Sequence, residues 1–192
     1  MSVSKVDKLN QRGCAFSLVL NDNELHLFKN SQHVFRELMC DEKDVIYCAV
    51  IYHSNDYDRE RSAYKTPHFH VVLHMAHNYR CETMLNWVVD LFHCNANQVS
   101  IEKCNSLSMQ TRYLIHLDDF DKYQYRELDI VTNRADLVER YLKEIRKITD
   151  VNDVIAIMRE YRNLAELMSV IGLENYRKYR CIIQDLRKDG MY

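Results

Sequence analysis

Glycine and proline are almost absent from this chain, with three glycines and one proline in 192 residues. Gly172, the only glycine between Gly13 and Gly190, therefore stands out, and it predicts the C′ position at the end of a helix. No apolar run approaches the roughly 20 residues that a membrane span needs, and Met1-Ser2-Val3-Ser4-Lys5 lacks the apolar core of a signal peptide. No excess of positive charge is present either; the formal net charge is −2. That counts against a protein relying on overall phosphate neutralisation, but a binding surface needs positive charge only locally. The seven cysteines include no Cys-x-x-Cys pair. A thiolate zinc site is thereby disfavoured, and Cys14, Cys40, Cys48, Cys81, Cys94, Cys104 and Cys181 read as reduced core residues of a cytoplasmic protein.

What is present is a globular composition, 47% hydrophobic and 28% charged, enough for one ordinary domain and a small appendage. Strands are expected at 14–20, 45–52, 68–75 and 98–103, with a further extended stretch at 125–131. A helix is expected from about Glu24 to Met39, with its N-cap in Asn21-Asp22-Asn23. A second, 80–93, places Met84, Leu85, Val88, Val89 and Phe92 at helical spacing, and a third starts near Ser106 or Ser108. This βαββαβα order predicts an α+β fold, an antiparallel sheet with helices packed on one face, ferredoxin-like or RNA-recognition-like, its other face free for a ligand. Beyond Asn133 the pattern is wholly helical, with apolar stripes beginning at Leu137, Val151, Leu164 and Tyr176. The expected division is therefore 1–132 for the sheet domain and 133–192 for a helical module. Arg177, Lys178, Arg180, Arg187 and Lys188 lie on the module's last helix, which can bind DNA, join subunits or dock a partner.

The residues that carry chemistry centre on His68-Phe69-His70. Alternation along a strand sends both imidazoles to one face and Phe69 to the other. One strand earlier, Val45 to Tyr52 runs into His53-Ser54-Asn55-Asp56, so His53 or Asp56 can complete a cluster of imidazoles and carboxylate. A mixed nitrogen and oxygen set suits Mn²⁺ or Mg²⁺ on a phosphate substrate, and can also hold Zn²⁺ or Ni²⁺. Arg59, Arg61 and Lys65, in the loop before the histidine pair, are candidate DNA contacts, as is Arg112. The third segment, Arg112-Tyr113-Leu114-Ile115-His116, places Tyr113 43 residues after His70, with enough chain between them to bring the tyrosine back over the sheet.

His-x-x-Asp at a strand end, then His-hydrophobic-His, then Tyr-Leu-x-His on a helix resembles the small rolling-circle replication initiators of Gram-positive plasmids and related mobile elements. These belong to the endonuclease superfamily named for a histidine pair flanking a hydrophobic residue, and the lone tyrosine is similar to the single-tyrosine plasmid type. The resemblance runs from about Phe16 to Asp119. Leu117-Asp118-Asp119, Lys122-Tyr123-Gln124-Tyr125 and the stretch Ile171 to Arg180 are similar to later parts of those proteins. It implies that residues 1–132 are an origin-binding endonuclease domain, that His68, His70, His53 and Asp56 are metal-side residues, and that Tyr113 is the nucleophile. Its attack would leave a 5′-phosphotyrosine and a free 3′-hydroxyl primer for rolling-circle replication, with strand rejoining at termination.

A phenol titrates near pH 10, so such a site must activate it. His116, three residues beyond Tyr113, is a candidate for positioning it, or a surface histidine. The implied partners are single-stranded or hairpin origin DNA, a host helicase and polymerase, and further copies of this chain, with no membrane. Two other readings remain open: a non-catalytic nucleic-acid-binding module on the same fold, and a metal phosphoesterase that uses water.

Overall fold

The computed structural model describes residues 8–21, 29–40, 44–58, 61–119, 121–143, 151–160 and 164–188. The chain divides into two compact units, Met1–Leu142 and Lys143–Tyr192. In the first, the order is β1 (Arg12–Asn21), α1 (Ser31–Cys40), β2 (Val45–His53), β3 (Tyr57–Asp58), β4 (Ala63–Tyr64), β5 (His68–Arg80), α2 (Cys81–Phe92), β6 (Val99–Lys103), α3 (Leu107–Leu114), β7 (Val131–Thr132) and α4 (Ala135–Lys143).

Five strands form one sheet in the order β6-β1-β5-β2-β7, and β3 and β4 form a separate hairpin. Every pairing is antiparallel, and β5 lies at the centre, with Phe69 opposite Leu20 on one side and Tyr52 on the other. Strand alternation then sorts the side chains. Phe16, Leu18, Leu20, Cys48, Val50, Phe69, Val71 and Leu73 fall on one face, where Val34 and Leu38 of α1 and Met84, Trp87, Val88 and Phe92 of α2 complete the main core. Tyr47, Ala49, Ile51 and Val72 fall on the opposite face, against Leu114, Ile115, Tyr125 and Val138. The sheet is thus two-sided at β2 and β5, which explains the near-continuous apolar run of β2.

The α+β class and the antiparallel sheet agree with the sequence reading, and the two strand-connecting helices share one face as expected. The opposite face is not fully open, however, because α3 and α4 cover its β2 side. Their apolar stripes need a partner, and Tyr47 and Ile51 supply it; Tyr47 also shares a 2.9 Å hydrogen bond with Thr111 of α3. The uncovered part lies over β1 and β6, where Ser17 and Val19 are half-buried and Ser100 and Glu102 exposed.

Several boundaries move. Helix α1 starts at Ser31, with the Asn30 side chain accepting from the His33 amide at 2.8 Å. Asn21 instead ends β1, while Asp22, Asn23 and the predicted first turn at 24–28 lie outside the described residues. The last strand is Val131–Thr132 rather than 125–131; Thr132 and Asn133 extend this edge by side-chain bonds to the backbone of Cys48 and Ile46. Helix α4, placed in the helical module by the sequence division at 132, packs through Val138 and Leu142 within the first unit.

The second unit contains α5 (Val151–Glu160) and α6 (Leu164–Lys188). Val154, Ile157, Met158, Leu167, Ile171, Tyr179 and Ile183 form its core. Gly172 interrupts α6 with φ 77°, a conformation that costs glycine nothing and other residues strain. Among the described residues no helix is long and apolar enough to cross a membrane.

Leu73 is fully buried at the centre of the main core. Leu73→Ala is expected to lower the unfolding free energy of the first unit by about 3 kcal/mol, the middle of the usual range for this truncation. Urea denaturation checks this; a change below about 1 kcal/mol would place Leu73 outside the cooperative core.

Candidate metal and nucleophile site

The pairing of β5 with its neighbours brings the histidines together. His68 faces His53 across β2 and Asn21 across β1, and His70 faces Ile51 and Val19. His53 is the last residue of β2, and Asp56 follows after a short bend. The fourth imidazole arrives from the other side of the cluster. Helix α3 is capped by the Ser106 side chain, which accepts from the Met109 amide, and it ends at Leu114. His116 then takes a left-handed conformation, φ 57°, uncommon outside glycine though less so for histidine than for branched residues. The turn carries its ring inward to full burial. His116 is a buried member of the cluster and not a surface histidine.

The ring of His53 lies 4.6 Å from those of His70 and His116 and 5.4 Å from that of His68, centroid to centroid. Ligand atoms of His53, His68 and His70 all lie within 4.8 Å of one another, as do those of His53, Asp56 and His116. The Asp56 carboxylate is 3.4 Å from His53 Nδ1, 3.7 Å from His68 Nε2 and 3.8 Å from His116 Nδ1.

Three of these rings are anchored by backbone carbonyls. His53 donates through Nε2 to Leu114 at 2.7 Å, His68 through Nδ1 to Thr66 at 2.9 Å, and His116 through Nδ1 to Tyr123 at 2.8 Å. Each anchor fixes a tautomer and leaves the other ring nitrogen with a lone pair, as in histidines that ligate metals. Among the described residues, His53 Nδ1 and His116 Nε2 are buried without a hydrogen-bond partner, an arrangement that costs free energy unless something electron-poor occupies the space. The cluster is able to hold a divalent metal ion.

The electrostatics agree. Burial pulls the His68, His70 and His116 imidazoles below their ordinary value, against partial opposition from the Asp56 charge, so these rings are neutral ligands at neutral pH. Burial would raise Asp56, but its neighbours His53 and His116 and the hydrogen bond from the Tyr125 hydroxyl outweigh burial and hold it well below the usual carboxylate range. Asp56 is therefore an anion at neutral pH.

Tyr113 stands over this cluster. Its ring is edge-on to His70 at 5.5 Å and to His116 at 5.3 Å, and it remains 38% exposed. Its hydroxyl accepts from Lys122 Nζ at 3.1 Å. Two groups were not legible as site residues in the sequence. Tyr125 lies parallel to the His53 ring at 4.3 Å and donates to Asp56 at 3.1 Å, and Lys122 contacts Tyr113. Both sit in irregular chain, where periodicity has nothing to report; only their place after the Tyr-Leu-x-His motif marked them.

Of the candidate DNA contacts, Arg61 and Lys65 are exposed and line a cleft of about 480 Å³ beside His68, together with Asn21, Asp58, Tyr64 and Thr66. Arg59 lies outside the described residues. Arg112 is a correction: its guanidinium is buried, bonded in two places to Asp118 and at 2.7 Å to the Leu142 carbonyl. It ties α3 to the end of α4, with its donors engaged inside the fold. A second cleft, about 530 Å³, lies on the β2 side and is lined by Tyr52, Ser54, Asn55, Tyr123 and Arg126 among others.

Residues 8–138 match the family model described as plasmid replication protein, origin binding domain. The chain belongs to this family. The origin-binding domain thus coincides with most of the first compact unit, and the protein is a DNA-binding plasmid replication initiator. No curated protein matched the chain in comparison.

Two outcomes are expected of this initiator. Mn²⁺ at a hundredfold excess over its Kd should stabilise it by about 2.7 kcal/mol, read as a raised thermal midpoint that His68→Ala and His70→Ala both lose. Arg112→Ala, which removes the bonds to Asp118 and to the Leu142 carbonyl, should cost about 3 kcal/mol in urea denaturation without changing the salt dependence of DNA binding; a reduced salt slope would return Arg112 to the DNA interface.

Proposed function

We propose that this initiator nicks one strand of its plasmid origin with Tyr113, forming a 5′-phosphotyrosine link and a free 3′-hydroxyl, and rejoins strands at termination. The observation that carries this reading is the exposed phenol edge-on to His70 and His116, above a cluster with two orphaned imidazole nitrogens. A nucleophile, a cation site and an entry for substrate converge there, which is the geometry an in-line phosphoryl transfer needs.

In this reading His53, Asp56, His68 and His70 hold the metal ion, and the mixed donor set with a carboxylate favours Mn²⁺ or Mg²⁺ in the cell. Such an ion, when bound, polarises the scissile phosphate and neutralises charge on its oxygens. The protein does the rest. Tyr113 sets its ring against His70 and His116 from a helix end held by Arg112 and Asp118. His116 buttresses the Tyr113 ring through an edge contact and keeps its orphaned nitrogen toward the same space. Tyr125 orients both the Asp56 carboxylate and, by stacking, the His53 ring. Arg61 and Lys65 take backbone phosphates along the β1-side cleft, and the uncovered β1 and β6 face continues that path. The substrate in this reading is single-stranded or hairpin origin DNA. Superfamily kinship to the single-tyrosine plasmid initiators, action in the cytoplasm, a host helicase and polymerase as partners, and assembly of several copies all belong to this reading.

The test uses purified protein, Mn²⁺ and end-labelled single-stranded origin oligonucleotides on a denaturing gel. Wild-type protein is expected to give a covalent adduct that requires metal, and Tyr113→Phe to give none, a loss of at least about 10³-fold, while binding DNA within a few-fold of wild type. Cleavage surviving in Tyr113→Phe would make water the nucleophile. Binding without cleavage across origins that the element uses would leave a non-catalytic origin-binding module.

A further inference from the structure

The one basic side chain in contact with the Tyr113 oxygen among the described residues is Lys122, and nothing in the reading above uses it. Its Nζ lies 3.1 Å from the phenolic oxygen and 4.6 Å from the ring centroid. On its other side it is 2.6 Å from an Asp119 carboxylate oxygen. The three groups form a line, carboxylate to ammonium to phenol.

This placement is built in. Three backbone bonds recur at a spacing of three residues here: His116 donates its amide to the Tyr113 carbonyl at 3.0 Å, Asp119 to His116 at 2.9 Å, and Lys122 to Asp119 at 3.1 Å. The Gln124 side-chain amide then closes the turn on the Asp119 and Lys122 carbonyls at 2.8 and 3.0 Å, and the His116 ring anchors Tyr123. The backbone that turns His116 into the cluster therefore also presents Lys122 to Tyr113. A surface pair with Asp119 alone would be worth about 0–1 kcal/mol and would need none of this scaffolding.

An ammonium is a donor only, so Lys122 cannot take the phenol proton while charged. Burial works against its charge, but the hydrogen bonds to Asp119 and Tyr113 outweigh burial and raise its pKa above the ordinary lysine value. It is a permanent cation at the oxygen whose charge changes in the reaction.

We propose that Lys122 is a catalytic residue of the nicking and joining reactions, holding the Tyr113 oxygen in place and supplying the counter-charge to it, with Asp119 as its positioning residue. The inference rests on the tyrosine reading above. In nicking, the bond from Tyr113 Oη to phosphorus forms as the bond from phosphorus to the 3′-oxygen breaks. The phenol proton passes to solvent, and the departing 3′-oxygen takes a proton from solvent. Negative charge on Oη during its deprotonation faces the Lys122 ammonium. In joining, an incoming 3′-hydroxyl oxygen bonds to phosphorus and gives its proton to solvent as the bond from phosphorus to Oη breaks; the ammonium stabilises the departing phenolate, which then takes a proton from solvent. A preorganised donor of this kind contributes about 10²–10³ in rate.

The experiment measures single-turnover adduct formation, at saturating oligonucleotide and Mn²⁺, for wild type, Lys122→Ala, Lys122→Gln and Lys122→Arg. The expected result is a fall of about 100-fold for the first two and a smaller one for arginine, with DNA Kd and thermal midpoint near wild type in at least one neutral variant. Added ethylammonium should restore part of the Lys122→Ala rate and leave wild type unchanged, which a merely structural lysine would not show. Adduct formation at the wild-type rate by Lys122→Ala, or a loss that ethylammonium does not relieve and that tracks weakened DNA binding or folding, overturns the assignment of Lys122 alone. Absence of any Tyr113-linked product from wild-type protein overturns the functional reading and this inference with it.

Discussion

The register between β2 and β5 is the constraint on which the rest of this molecule depends. With His53 opposite His68, three imidazoles share one face while Phe69, Val71 and Leu73 enter the main core. A slip of one residue would exchange those faces, burying histidines among Val34, Leu38 and Met84 and exposing the apolar set. Two apolar layers hold the register, one under α1 and α2 and the other under α3 and α4. The hydrophobic core is therefore what sets the geometry of the histidine cluster, and the cluster itself need contribute no stability.

Such a cluster is costly to bury. Four imidazoles and a carboxylate lie out of solvent, and two nitrogens have no hydrogen-bond partner. The protein offsets part of this cost with carbonyl anchors from Leu114, Thr66 and Tyr123 and a hydroxyl from Tyr125. Two of those anchors come from α3 and the turns that follow it, the same segment that presents Tyr113 and Lys122. The orientation of the histidine rings and the position of Tyr113 are thus coupled through one stretch of backbone.

Much of this was legible in the sequence, for a specific reason. A two-residue period is the strongest signal a strand can carry, so His68-Phe69-His70 disclosed both its core side and its site side, and the apolar run before His53 identified the neighbouring strand. Tyr113 was legible only through the resemblance, since thirteen tyrosines make choice by position alone arbitrary. His116 looked ambiguous because its burial comes from a left-handed turn that no periodicity predicts. Lys122 and Tyr125 lie in the irregular chain that follows, where periodicity has nothing to report. Arg112 read as a DNA contact because its partner, Asp118, sits beyond the helix end, where helical spacing does not apply. The first helix starts later than expected because Asn30 is its cap; asparagine-rich segments offer several candidate caps and only packing selects one. The covered β2 side of the histidine face followed from α4, whose stripe at Leu137 and Val138 shows that it needs a partner without saying which.

The central claim is that the cluster at the end of β2 and the start of β5 holds the catalytic cation beneath Tyr113. Anomalous diffraction from crystals of the protein grown with Mn²⁺, collected at the manganese edge, tests it directly. The account predicts one strong peak bonded to His68 and His70 and completed by His53, Asp56 or both, on the Tyr113 side of the sheet. No peak in the cluster at saturating Mn²⁺, or a peak that leaves the histidine pair uncoordinated, would contradict it.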